Sequence, residues 1–119
     1  MHIKPGMKIG FFNAPENIDQ LLGNIPDDVE VSRKLENTEL DLILAFMEDR
    51  QMLEAYLYSL KNAIADEGAL WLAYHKGSSS MDTDINRDIM HQYCKQLDLV
   101  GGDMVSINND WTGLRFKKI

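Results

Sequence analysis

At 119 residues, with 45% apolar and 26% charged residues and a net charge of −7, the chain is sized for one globular domain over residues 1–119 and is too apolar for a disordered segment. The acidic balance argues against nucleic acid as a partner, because affinity for phosphate backbones rests on many Lys and Arg. No apolar run approaches the roughly 20 residues that cross a bilayer, Met1–Gly6 has no apolar signal core, and a lone cysteine makes no internal disulfide, so a cytoplasmic protein away from membranes is expected.

In chain order, Met7 to Phe12 follows a Pro5-Gly6 turn and predicts a first strand. Asn13-Ala14-Pro15 then turns into a short helix with Ile18, Leu21 and Leu22 inward and Gly23 as its stop. Val29 to Arg33 alternates apolar and polar, as a half-exposed edge strand does. Leu42 to Phe46 and Ala69 to Tyr74 are continuous apolar runs, the pattern of strands covered on both faces of a parallel sheet. Between them Asp49 caps a helix whose Met52, Leu53, Tyr56, Leu57, Leu60, Ala63 and Ile64 recur at helical spacing before Gly68 ends it.

After Tyr74 a polar loop, His75 to Ser80, leads to a helix capped by Thr83 or Asp84, with Ile85, Ile89, Tyr93, Cys94 and Leu97 inward. Leu99 to Ile107 and Trp111 to Lys117 form a hairpin around Asn108-Asn109-Asp110, since Asn tolerates positive φ. Right-handed crossovers then predict a three-layer, Rossmann-like α/β mixed sheet, mostly parallel, with helices on both faces. It ends in a C-terminal antiparallel hairpin, and the strand order is 2-1-3-4-6-5.

This order of elements resembles the class I methyltransferase fold with its middle strand and helix removed. Through Asn13-Ala14-Pro15, Thr83-Asp84-Ile85-Asn86-Arg87-Asp88 and Trp111 the chain is also similar to a family of small bacterial proteins without assigned function, a likeness that implies no activity. The methyltransferase resemblance implies S-adenosylmethionine bound by a Gly-rich turn after strand one and an acidic residue after strand two. Phe12-Asn13-Ala14-Pro15 has no glycine, Gly10 and Gly23 fall elsewhere, and Pro15 lacks an N–H; only Glu36 meets the second requirement. The sequence therefore predicts no useful affinity for S-adenosylmethionine or dinucleotides, and no cofactor is assigned.

Other chemistries lack their parts. His91 and Cys94 are three apart on one helix with no third clustered ligand, so no metal site is assigned. Ser78 to Ser80 form no nucleophile elbow, and nearby His75 makes no triad by itself, so no catalytic residue is assigned. Asp27-Asp28 and the Asp82/Asp84 pair suit turns and caps. The loop before the last helix offers hydroxyls, a helix N-terminus and two cations, which together suit a phosphate or carboxylate. The candidate ligand residues are Lys76, Ser78, Ser79, Thr83, Asn86 and Arg87, with a crevice at the break in strand order beside Asn13, Pro15, Phe46 and Glu48. Against that stands simple capping by Thr83 and Asp84, with Arg87 paired to Asp84 or Asp88. The function expected is a non-catalytic binding or regulatory module for a small anionic ligand or a protein partner; the alternative is a reduced S-adenosylmethionine-dependent methyltransferase-like enzyme.

Overall fold

Strands with apolar side chains pointing both ways lie in the interior of a sheet, and the strands of this chain form one mixed sheet. The computed structural model describes residues 6–14, 30–32, 39–75, 85–107 and 110–118. Its strands are β1 (Lys8–Phe12), β2 (Glu30–Ser32), β3 (Leu40–Phe46), β4 (Ile64–His75), β5 (Leu99–Ser106) and β6 (Trp111–Lys118). Its helices are α1 (Arg50–Ala63) and α2 (Arg87–Gln96). The sheet order is β2-β1-β3-β4-β6-β5, parallel from β2 to β4, with β6 antiparallel to both β4 and β5.

Alternation along the central strands builds two apolar layers. Ile43, Ala45 and Met47 join Leu70, Leu72 and Tyr74 on one face, where Leu53, Leu57, Leu60 and Ala63 of α1 and Met90 and Cys94 of α2 pack. Leu42, Leu44 and Phe46 join Ile9, Phe11, Trp71 and Ala73 on the other, and these are buried as fully. Each Leu or Phe taken from water in this way contributes about 1.5–3 kcal/mol. Tyr93 of α2 donates its hydroxyl hydrogen to Glu54 of α1 and accepts from Arg50, tying the helices side by side. The helix expected near Pro15 to Leu22 lies outside the described residues, and both described helices cover the same face.

Local signals act where expected at the head of α1: Asp49 accepts the Met52 N–H at 2.8 Å. Two boundaries differ from the sequence reading. Helix α1 stops at Ala63, not at Gly68, because Ile64 turns extended (φ −90, ψ 148) and pairs with Leu40 ahead of a register shift between Leu40 and Leu42. Gly68 is thus a strand residue under close backbone approach; a Cβ there would lie 2.7 Å from the Leu40 carbonyl oxygen. The cap of α2 is Asn86, whose side-chain oxygen accepts the Ile89 N–H at 2.9 Å, in place of Thr83 or Asp84. Ile85 before that cap and Met90 after it are both buried, at the spacing of a hydrophobic staple that fixes the chain's entry into the helix.

Candidate functional site

The parallel strands wind outward in opposite directions from β1 and β3, so loops leaving their carboxyl ends diverge and leave a crevice there. Asn13 closes β1 with φ 53, the left-handed region that glycine ordinarily supplies. Its Nδ2 donates to the Phe46 carbonyl at 2.9 Å and reaches Met52 Sδ at 3.6 Å, which ties the end of β1 to the end of β3. The Met47 N–H donates to the Ala73 carbonyl at 2.8 Å, carrying β3–β4 pairing one residue further, and Glu48 beyond it is exposed.

The rim continues through aromatic contacts. Phe46 meets the Trp111 ring edge-on at 5.0 Å, and Trp111 lies 3.9 Å from the imidazole of His75, its cross-strand partner at the end of β4. Only 5% of His75 is exposed, and among the described residues neither ring nitrogen has a hydrogen-bond partner. Sequence reasoning set this residue at the head of the polar loop, because a polar group closing an apolar run reads as the first residue of a loop; the structure makes it the last residue of β4.

Of the residues singled out from sequence, Asn13 and Phe46 come together here, with Glu48 beyond the end of β3. Pro15 lies outside the described residues, as do Lys76, Ser78, Ser79 and Thr83. Asn86 and Arg87 meet at the head of α2, where Asn86 spends its side-chain oxygen on the cap and Arg87 pairs with Asp88 at 3.9 Å. Arg87, Asp88, His91, Gln92 and Met104 line a groove of about 570 Å³ between α2 and β5. His91 packs edge-on against Phe116. Burial pushes the Tyr74 hydroxyl pKa up, with the Arg87 charge opposing it. A second groove, about 940 Å³, runs along the amino ends of β1 and β3 between Asp41, Glu67, Trp71 and Arg115.

Burial pushes the Cys94 thiol up to about 12, so it stays protonated and chemically inert at neutral pH. Among the described residues no three His, Cys, Asp or Glu side chains gather as metal ligands. None of the described helices is long and apolar enough to cross a membrane.

No family model matches the chain, and no curated protein matches its sequence. Its fold does have solved counterparts. A ribosomal protein L11 methylase from Lactobacillus delbrueckii subsp. bulgaricus is similar over 98% of this chain and 71% of its own, at 13% identity and a TM-score of 0.63. A SAM-dependent methyltransferase from Aquifex aeolicus is similar over 97% and 84%, at 14% identity and a TM-score of 0.62. A TehB-like SAM-dependent methyltransferase from Corynebacterium glutamicum is similar over 98% and 82%, at 11% identity and a TM-score of 0.61. These likenesses correct the expectation of a non-catalytic binding or regulatory module: the three structures named are methyltransferases, and at 11–14% identity what they share with this chain is the fold. The chain has a methyltransferase-like α/β fold.

Proposed function

We propose that the chain is a reduced S-adenosylmethionine-dependent methyltransferase-like enzyme, with the cofactor held at the carboxyl ends of β1 and β3. The observation that supports it is the left-handed turn at Asn13 (φ 53), directly after β1. The absence of glycine argued against such a turn from sequence, but Asn reaches the same backbone conformation because its short side chain bonds locally. The residues fit the group in kind. The Asn13 turn brings backbone to the crevice and the exposed Glu48 follows the end of β3, while Glu36, which lies outside the described residues, follows β2 in the sequence as an acidic residue for the ribose hydroxyls would. When bound, S-adenosylmethionine supplies an electrophilic methyl group. The chain's own part is to position: Asn13 fixes the distance between strand ends, and buried Phe46 and Met47 form a dry wall behind the crevice.

The reading includes a third layer over the Ile9, Leu44 and Phe46 face, supported by the complete burial of that face, and a cytoplasmic location. Calorimetry with S-adenosylmethionine and S-adenosylhomocysteine tests it. Micromolar binding is expected, and cofactor at 100 times its dissociation constant stabilises the fold by about 2.7 kcal/mol, roughly 10 °C in a domain of this size. The absence of both binding heat and a melting shift at millimolar cofactor would overturn the proposal.

A further inference from the structure

We infer that Met104 is a redox modification site: a hydroperoxide oxidises its thioether to the sulfoxide, and the new oxygen takes the hydrogen bond of the buried Tyr74 hydroxyl, tying the edge strand β5 to β4 across β6. Three observations carry it. Met104 is 53% exposed and lines the groove of about 570 Å³ between α2 and β5, so a small oxidant has open access to the side chain. Its sulfur already accepts the Tyr74 O–H at 3.9 Å. Tyr74 itself is buried, and burial pushes its pKa up, so the hydroxyl keeps its proton and stays a donor.

The sheet sets up the pair. Met104 stands opposite Leu114 and Tyr74 opposite Thr112 on the two sides of β6, and Tyr74 and Leu114 share the face that α1 and α2 cover. A hydroxyl has one hydrogen to give, and here a thioether, a weak acceptor, receives it. With hydrogen peroxide, a sulfur lone pair attacks one peroxide oxygen, the O–O bond breaks as the S–O bond forms, and water leaves; the sulfur loses two electrons and the peroxide gains them. The S–O bond is strongly polar, so its oxygen is a better acceptor than the sulfur it replaces, and the unbranched side chain of Met104 is free to turn that oxygen toward the hydroxyl. A sulfoxide in an apolar core weakens a fold by burying an unpaired dipole; beside Tyr74 a donor is already in place, and the sign reverses. No other methionine among the described residues combines these features. Met47 and Met90 are fully buried, Met7 is half-buried, and Met52, whose sulfur accepts from Asn13 at 3.6 Å, is half-buried against the core.

Limiting hydrogen peroxide, followed by mass-spectrometric peptide mapping of the seven methionines, should find Met104 oxidised ahead of Met7 and Met52, with Met47 and Met90 last. Once Met104 is converted, the melting temperature should rise by about 4 °C, the worth of one improved hydrogen bond in a domain of this size. Methionine sulfoxide reductases for both epimers should return it to the starting value. Tyr74→Phe should still be oxidised at Met104 and lose the rise. Met104→Leu, which leaves Met1 and Met81 open to the same reagent, should show no rise either. Oxidation of Met104 that trails Met7 or Met52, a melting temperature that stays or falls on its conversion, or an equal rise in either variant overturns the inference.

Discussion

Asn13 allows the turn at the strand switch to be dissected, because its backbone and its side chain do separate things there. Asn13→Ala removes the amide bond to the Phe46 carbonyl, which at 2.9 Å and partial burial is worth about 0.5–1.5 kcal/mol. It also leaves a β-carbon at φ 53, which adds about 1 kcal/mol of left-handed strain. Asn13→Gly loses the same bond without that strain, and pays instead about 0.5 kcal/mol through the freer unfolded chain. The sums are about 2 kcal/mol for Ala and about 1.5 for Gly, so at roughly 4 °C per kcal/mol the alanine variant should melt about 8 °C below native and about 2 °C below the glycine variant. Circular dichroism melts of the three proteins at one pH decide the matter. If Ala melted at or above Gly, the turn would not be left-handed in solution, and the cofactor proposal would lose the observation that supports it.

Gly68→Ala sets a Cβ 2.7 Å from the Leu40 carbonyl oxygen and 3.1 Å from that of Ala65, both backbone atoms, so urea midpoints should fall by the equivalent of about 1–3 kcal/mol; an unchanged midpoint would refute the close strand approach. Cys94 predicts a loss of stability in alkali. The folded thiol holds its proton to about 12 while the unfolded chain releases it near 9.0, so the folded state binds more protons in that window. Stability is full below pH 9.0 and falls as pH rises toward 12, with Tyr74 adding the same sign. Cys94→Ala should flatten the fall in urea midpoint between neutral and alkaline pH, and an identical slope would show that the thiol is not buried.

Sequence alone was enough wherever the controlling interaction is short in range or repeats along one element. The apolar runs around Leu44 and Leu72 announce strands covered on both faces, because such strands need no polar alternation. Asp49 announces a helix start because its partner, Met52, is three residues away. Those signals, with the terminal hairpin, are enough for the α/β class. Tertiary structure decided the rest. Ile64 satisfies a helical spacing and a strand equally well, and only pairing with the distant Leu40 makes it a strand. Thr83, Asp84 and Asn86 are all good caps, and the burial of Ile85 and Met90 selects the last. The search for glycine after β1 missed that Asn13 takes the same turn when Phe46 accepts its amide. His75 ends a strand and not a loop only because β6 sets Trp111 against it, and its burial is a property of neighbours far along the chain, which no local pattern records.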